Sequence, residues 1–133
     1  MTTLVPPALP APAVPARPAT GYPPRLLAVL TGPDDAVAVL DRAHASARET
    51  GREVHTALLL PRAPSGSAGE AGREEADLVS LVLQRAAAAG LPARITVQRL
   101  RGLRGWRRES VLDRAVARLA RRLDAVPVGW STP

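Results

Sequence analysis

Five arginines stand between positions 99 and 108, namely Arg99, Arg101, Arg104, Arg107 and Arg108, with Trp106 among them. A guanidinium is a planar fork of donors that matches the oxygens of a phosphate, and an exposed indole gives a base a face to stack on. The chemistry this spacing supports is anion binding, with RNA, single-stranded DNA or an acidic partner as ligand. The plainer use of Trp106 is to cover the end of a sheet.

Other reactive constellations are absent or misplaced. The chain has no cysteine, which removes disulfides, thiolate metal sites and thiol nucleophiles. Two histidines, His44 and His55, are too few for a histidine-built metal site, and none is expected. Asp41, His44 and Ser46 have the residue types of a catalytic triad, yet they fall within one helical pattern and lack a nucleophile elbow. His44 reads as a surface helix residue. Glu74, Glu75 and Asp77 suit the positive end of a helix dipole. No acid/base pair emerges, and the expectation is a protein that is not an enzyme.

All 18 basic residues are arginine, and the net charge is +6. Because GC-rich coding raises arginine content everywhere, the distribution carries more meaning than the total. Residues 25–93 hold 7 arginines against 9 acids, whereas residues 94–123 hold 10 arginines against Glu109 and Asp113 alone. No apolar stretch approaches the roughly 20 residues of a membrane span. Prolines interrupt the N-terminus where a signal peptide needs a continuous apolar region. The expectation is a cytoplasmic protein without a membrane partner. The amphipathic pattern Ser110 to Leu123 has an Ala-rich apolar face that suits a sheet better than a bilayer surface.

These residues must be held by elements, and the hydrophobic pattern supplies them. Residues 1–24 contain 8 of the 14 prolines and predict an extended tail. Its Pro7-x-x-Pro10 and Pro15-x-x-Pro18 spacings arise in any Pro/Ala-rich tract. Residues 25–133 form one domain. Leu26 to Leu30 is a buried strand, too short and too apolar for anything else. Asp34 and Asp35 start a helix with Leu40, Ala43 and Ala47 inward, and Gly51 stops it.

Val54 to Leu60 is a second buried strand, and Arg62 to Gly72 a loose linker. Glu74 to Ala89 is a helix with Leu78, Val79, Val82, Leu83 and Ala86 on one face. Ala93 to Leu100 alternates like an edge strand. After the Arg-rich loop, Ser110 begins a capping box and a helix to Leu123, and Ala125 to Gly129 is a last short strand. Alternating strands and helices call for a parallel sheet with right-handed crossovers.

The string Leu27-Ala28-Val29-Leu30-Thr31-Gly32-Pro33-Asp34-Asp35, together with Asp124-Ala125-Val126-Pro127-Val128-Gly129, resembles the opening and fourth strands of the universal stress protein family. The resemblance covers about residues 25–130. It implies a three-layer α/β sandwich of the adenine-nucleotide alpha hydrolase type, a four-stranded parallel sheet in the order 3-2-1-4, and a regulatory role in stress response.

It also implies where function has changed. Nucleotide-binding members end the first strand in an acid, and this chain has Thr31 there. Members carry a glycine-rich phosphate string after the fourth strand, for which this chain offers only Gly129. The fifth strand and last helix, used partly for dimerisation, are missing. The resemblance therefore implies a degenerate, C-terminally truncated member with weak or lost binding of ATP or AMP and no obligatory cofactor.

In an open α/β sheet, ligands bind beyond the carboxyl ends of the strands at the switch point. With the order 3-2-1-4, Thr31, Gly32, Gly129, Ser131 and Thr132 meet there and offer hydroxyls and flexible backbone, but no cation for a phosphate. The last strand is an exposed edge that Pro127 blunts, so self-association or a protein partner is expected.

Overall fold

The structure is a computed structural model and describes residues 24–62, 68–128 and 130. Seven elements alternate along the chain: β1 (Arg25–Leu30), α1 (Ala36–Thr50), β2 (Val54–Pro61), α2 (Ala68–Ala89), β3 (Ile95–Leu100), α3 (Arg108–Leu123) and β4 (Ala125–Val128). The sheet is fully parallel with the order β3-β2-β1-β4, which is the expected 3-2-1-4 arrangement. The three-layer α/β sandwich is thereby established, and β1 is central as its uninterrupted apolar run demands.

Because successive side chains of a strand point to opposite faces, the two Leu-rich strands feed two separate cores. On one face Leu26, Ala28, Leu30, Val54, Leu58 and Leu60 pack beneath α1 and α2, which contribute Leu40, Ala43, Ala47, Leu78 and Val82. On the other, Leu27, Val29, Ala57 and Leu59 pack against Leu112, Ala115, Val116 and Leu119 of α3. Two helices lie on one side and one on the other because the chain reverses its direction of travel after β3. β3 and β4 are the sheet edges, and Val97 and Val126 are the strand apolar residues left exposed there.

Several local boundaries differ from expectation. α2 begins at Ala68, six residues before Glu74, so the end of the expected linker is helix. Leu83 is half exposed rather than part of the inward face. β3 begins at Ile95. Asp35 occupies the N-cap of α1 but its carboxylate makes no capping bond. α3 starts at Arg108 with Arg107 as N-cap, which places Ser110 inside the first turn rather than in a capping box. At the other end of α1 the reading holds, since Gly51 is left-handed (φ 70°) and donates its N–H to the Ala47 carbonyl.

His44 is buried, not on the surface, and its Nδ1 has no hydrogen-bond partner. It lies three residues after Asp41, whose carboxylate pairs with Arg85 of α2 at 3.6 Å. That stripe of α1 therefore turns toward its neighbouring helix. Burial lowers the His44 pKa from 6.5 despite the opposing pull of Asp41, and burial with Arg25, Arg94 and Arg122 nearby lowers that of His55.

Both imidazoles are consequently harder to protonate in the folded protein than in the unfolded chain. Stability is full above pH 6.5 and falls as the pH drops through the unfolded value toward the lower folded ones. Urea titrations on either side of that window should show the midpoint moving down on acidification. A His44→Gln, His55→Gln variant should flatten the decline, and a flat wild-type profile would contradict the desolvation of the buried His44 and half-buried His55.

Candidate nucleic-acid interface

The loop from Arg101 to Arg107 leaves the carboxyl end of β3, crosses to the face covered by α3 and enters that helix. Two tight turns shape it, with Gly105 N–H donating to the Gly102 carbonyl and Arg108 N–H to that of Gly105. Gly102 takes φ 85°, and a Cβ there would meet Val111 Cγ2 at 3.2 Å. Only glycine fits this backbone comfortably against the first turn of α3. Leu103 is the loop's anchor, buried among Leu112, Val116 and their neighbours. One apolar side chain is thus driven inward while the charged residues around it are left outside.

The outward residues are Arg101, Arg104, Trp106, Arg107 and Arg108, all exposed. Trp106 is 89% exposed and does not cover the sheet. Leu103 and Trp130 do so instead, the indole of Trp130 packing on the α3 core and donating to Asp113 Oδ1 at 3.1 Å. The Arg107 guanidinium lies over the Trp106 ring, 4.7 Å from its centroid. One ring face is occupied by a cation, which leaves the other as an open apolar plate.

Electrostatics make the arrangement costly unless an anion completes it. Arg107 and Arg108 sit at the positive end of the α3 dipole, where cations are disfavoured. The N-cap supplies no side-chain acceptor, and the first helical N–H, that of Arg108, is held by the Gly105 carbonyl instead. Among the described residues no carboxylate pairs with Arg101, Arg104, Arg107 or Arg108.

Arg99 is different in kind. Its side chain turns to the opposite face, donating to the carbonyls of Pro61 (3.0 Å) and Ala71 (3.2 Å) and to Glu75 Oε1 (2.8 Å). It pins the start of α2 to β2 and β3, and its donors are engaged within the fold.

The turn after β1 places Thr31 and Gly32 half-buried at the carboxyl end of the central strand, next to the end of β4. Gly129, Ser131 and Thr132, the other expected members of that group, lie outside the described residues. Among the described residues, nothing lies within 4 Å of a Cβ built at Gly32. Beside this turn, an open groove of about 710 Å³ runs between Pro33 and α2, lined by Glu70, Glu74 and Asp77 against the single Arg73. Its negative walls repel a phosphate. Among the described residues no three metal-ligating side chains gather, and no helix is long and apolar enough to cross a membrane.

Compared with family models, with curated proteins and with solved structures, the chain gave no match.

Proposed function

We propose that this domain is a non-enzymatic binding module that takes single-stranded nucleic acid on the β3–α3 loop. The observation that carries the reading is Trp106: an indole 89% exposed, backed by Arg107, on a loop fixed from beneath by Leu103. An aromatic plate between guanidiniums binds a base by its face and the flanking phosphates by charge, which is how sequence-tolerant single-strand binding works. A regulatory or interaction role of the universal-stress-protein kind is compatible with this. The parallel sheet in the order 3-2-1-4 supports that kinship, while Thr31 in place of an acid and the acidic groove beside Pro33 support weak or lost binding of ATP and AMP.

One pair of titrations tests both halves. An oligothymidylate should bind with a dissociation constant in the range of about 10⁻⁴ to 10⁻⁶ M at moderate salt, and Trp106 fluorescence should quench as bases stack. ATP and AMP, followed by calorimetry under the same conditions, should give no saturable heat. Unchanged fluorescence with the oligonucleotide would refute the loop as its site, and micromolar binding of ATP would refute the loss of the nucleotide site.

A further inference from the structure

We infer that the anionic track does not end at the loop but continues down the outward face of α3 through Arg114, Arg118 and Arg121, so that the ligand is an extended strand rather than a mononucleotide or a compact anion. This rests on the loop being a nucleic-acid contact. At 3.6 residues per turn, Arg107, Arg114, Arg118 and Arg121 fall within an arc of about 60° on the helix. The arc lies diametrically opposite Leu112, Val116 and Leu119, which face the sheet. All four arginines are exposed, and among the described residues none of them is paired with a carboxylate. Arg122 borders the same stripe.

The acids of α3 are kept off it. Glu109 and Asp113 project from the far flank, and Asp113 accepts the Trp130 indole N–H. An amphipathic helix needs only polar residues on its outer face, and α1 and α2, across the sheet, carry mixed signs there, with Asp41, Arg42, Arg48 and Glu49 on one and Arg73, Glu74, Asp77 and Arg85 on the other. The single sign of the outward stripe of α3 is therefore not a requirement of folding. Mutual repulsion along such a stripe is relieved when phosphates displace counterions from it.

Dimensions set the class of ligand. From Trp106 to Arg121 the helix rises roughly 20 Å. At the roughly 3.4 Å rise per nucleotide of a fully stacked strand this is at most about six phosphates, and fewer for a strand drawn out, which reaches the lower end of the site sizes of single-strand-binding domains. A mononucleotide reaches one end only. The base-stacking plate at that end favours a nucleic-acid strand, every residue of which brings a π-face, over a run of acidic side chains, which brings none.

The test compares short (about three-nucleotide) with long (about ten-nucleotide) oligothymidylates on the wild type and on an Arg114→Gln, Arg118→Gln, Arg121→Gln variant. The substituted side chains are exposed, and circular dichroism with a melting curve establishes that the fold is retained. Each phosphate contact on a single strand is worth about fivefold at 0.1 M salt, so loss of three should weaken the long strand about a hundredfold. The short strand, held at the loop, should change less than about threefold. Replacing the same three residues by lysine should restore most of the loss.

A glutamine variant that keeps wild-type affinity for the long strand overturns the extended track and leaves the loop reading intact. A wild type that binds neither oligonucleotide overturns both. If polyglutamate of matched charge displaces the long strand at equal concentration, the track belongs to an acidic partner and the strand assignment is wrong.

Discussion

Replacing Leu58 by alanine is expected to lower the stability of the fold by about 3 kcal/mol. Leu58 is fully buried at the middle of β2, paired in register with Leu30 on one side and Val97 on the other, beneath α1 and α2. Removing its isopropyl group takes away dispersion contacts and apolar burial, and a parallel sheet pinned between strands cannot collapse to fill the space. For a domain of this size the loss corresponds to a melting temperature lower by roughly 15 °C. Leu83→Ala on α2 is the matched control, because that side chain is half exposed and should change stability by no more than about 0.5 kcal/mol. Thermal melts of the two variants should differ widely. Similar melts would mean that β2 is not where the core is densest.

The second large effect is on binding. An Arg104→Ala, Arg107→Ala, Arg108→Ala variant should lose about two units from the slope of log affinity against log salt, since each single-strand phosphate contact contributes about 0.7. Trp106→Ala should instead weaken binding by about 1–3 kcal/mol at every salt concentration, because stacking releases no counterions. The two signatures separate charge from stacking in one series of titrations.

They are coupled at one point. Arg107 lies on the Trp106 ring, so Arg107→Ala alone should alter both the slope and the salt-independent part. Equal retention of wild type and triple variant on a polyanion column would remove the loop from the binding surface. Arg99→Ala gives the contrasting case. It should lower stability, because the carbonyls of Pro61 and Ala71 lose their donor, and leave affinity for the strand unchanged.

The sheet was legible because its information is local. Leu26 to Leu30 and Ala57 to Leu60 are apolar on both faces, which only a doubly covered strand requires, and Gly51 marks a helix end by backbone chemistry alone. Ala68 to Gly72 read as the end of a linker because Gly69 and Gly72 disfavour helix by about 1 kcal/mol each. What holds that stretch is Arg99, whose guanidinium reaches across from β3 to the Ala71 carbonyl. A bond between residues 28 positions apart leaves no local trace.

The same reason explains the arginine cluster. Five similar residues stood together in sequence, but the alternation of a strand sends Arg99 to one face while the turn at Gly102 releases the others at the carboxyl end. Trp106 fits either role by sequence alone, because the residues that cover the sheet in its place, Leu103 and Trp130, are brought there by the fold. His44 read as a surface residue because polarity stands in for exposure, and its position against a second helix is a property of packing.

The pairing of β4 with β1 bears on how the chain is made. Arg25, at the start of the first strand, donates to the Leu123 carbonyl, 98 positions further along, and its backbone N–H bonds to that of Asp124. On the ribosome, the central strand must therefore wait with one edge open until nearly the whole domain has been synthesised, an interval of about 5–20 s at ordinary elongation rates. During that time Leu27 and Val29 have no α3 above them. The nascent chain is exposed to off-pathway strand pairing for as long as its last quarter is untranslated, which makes the late helix the step that commits the domain to its fold.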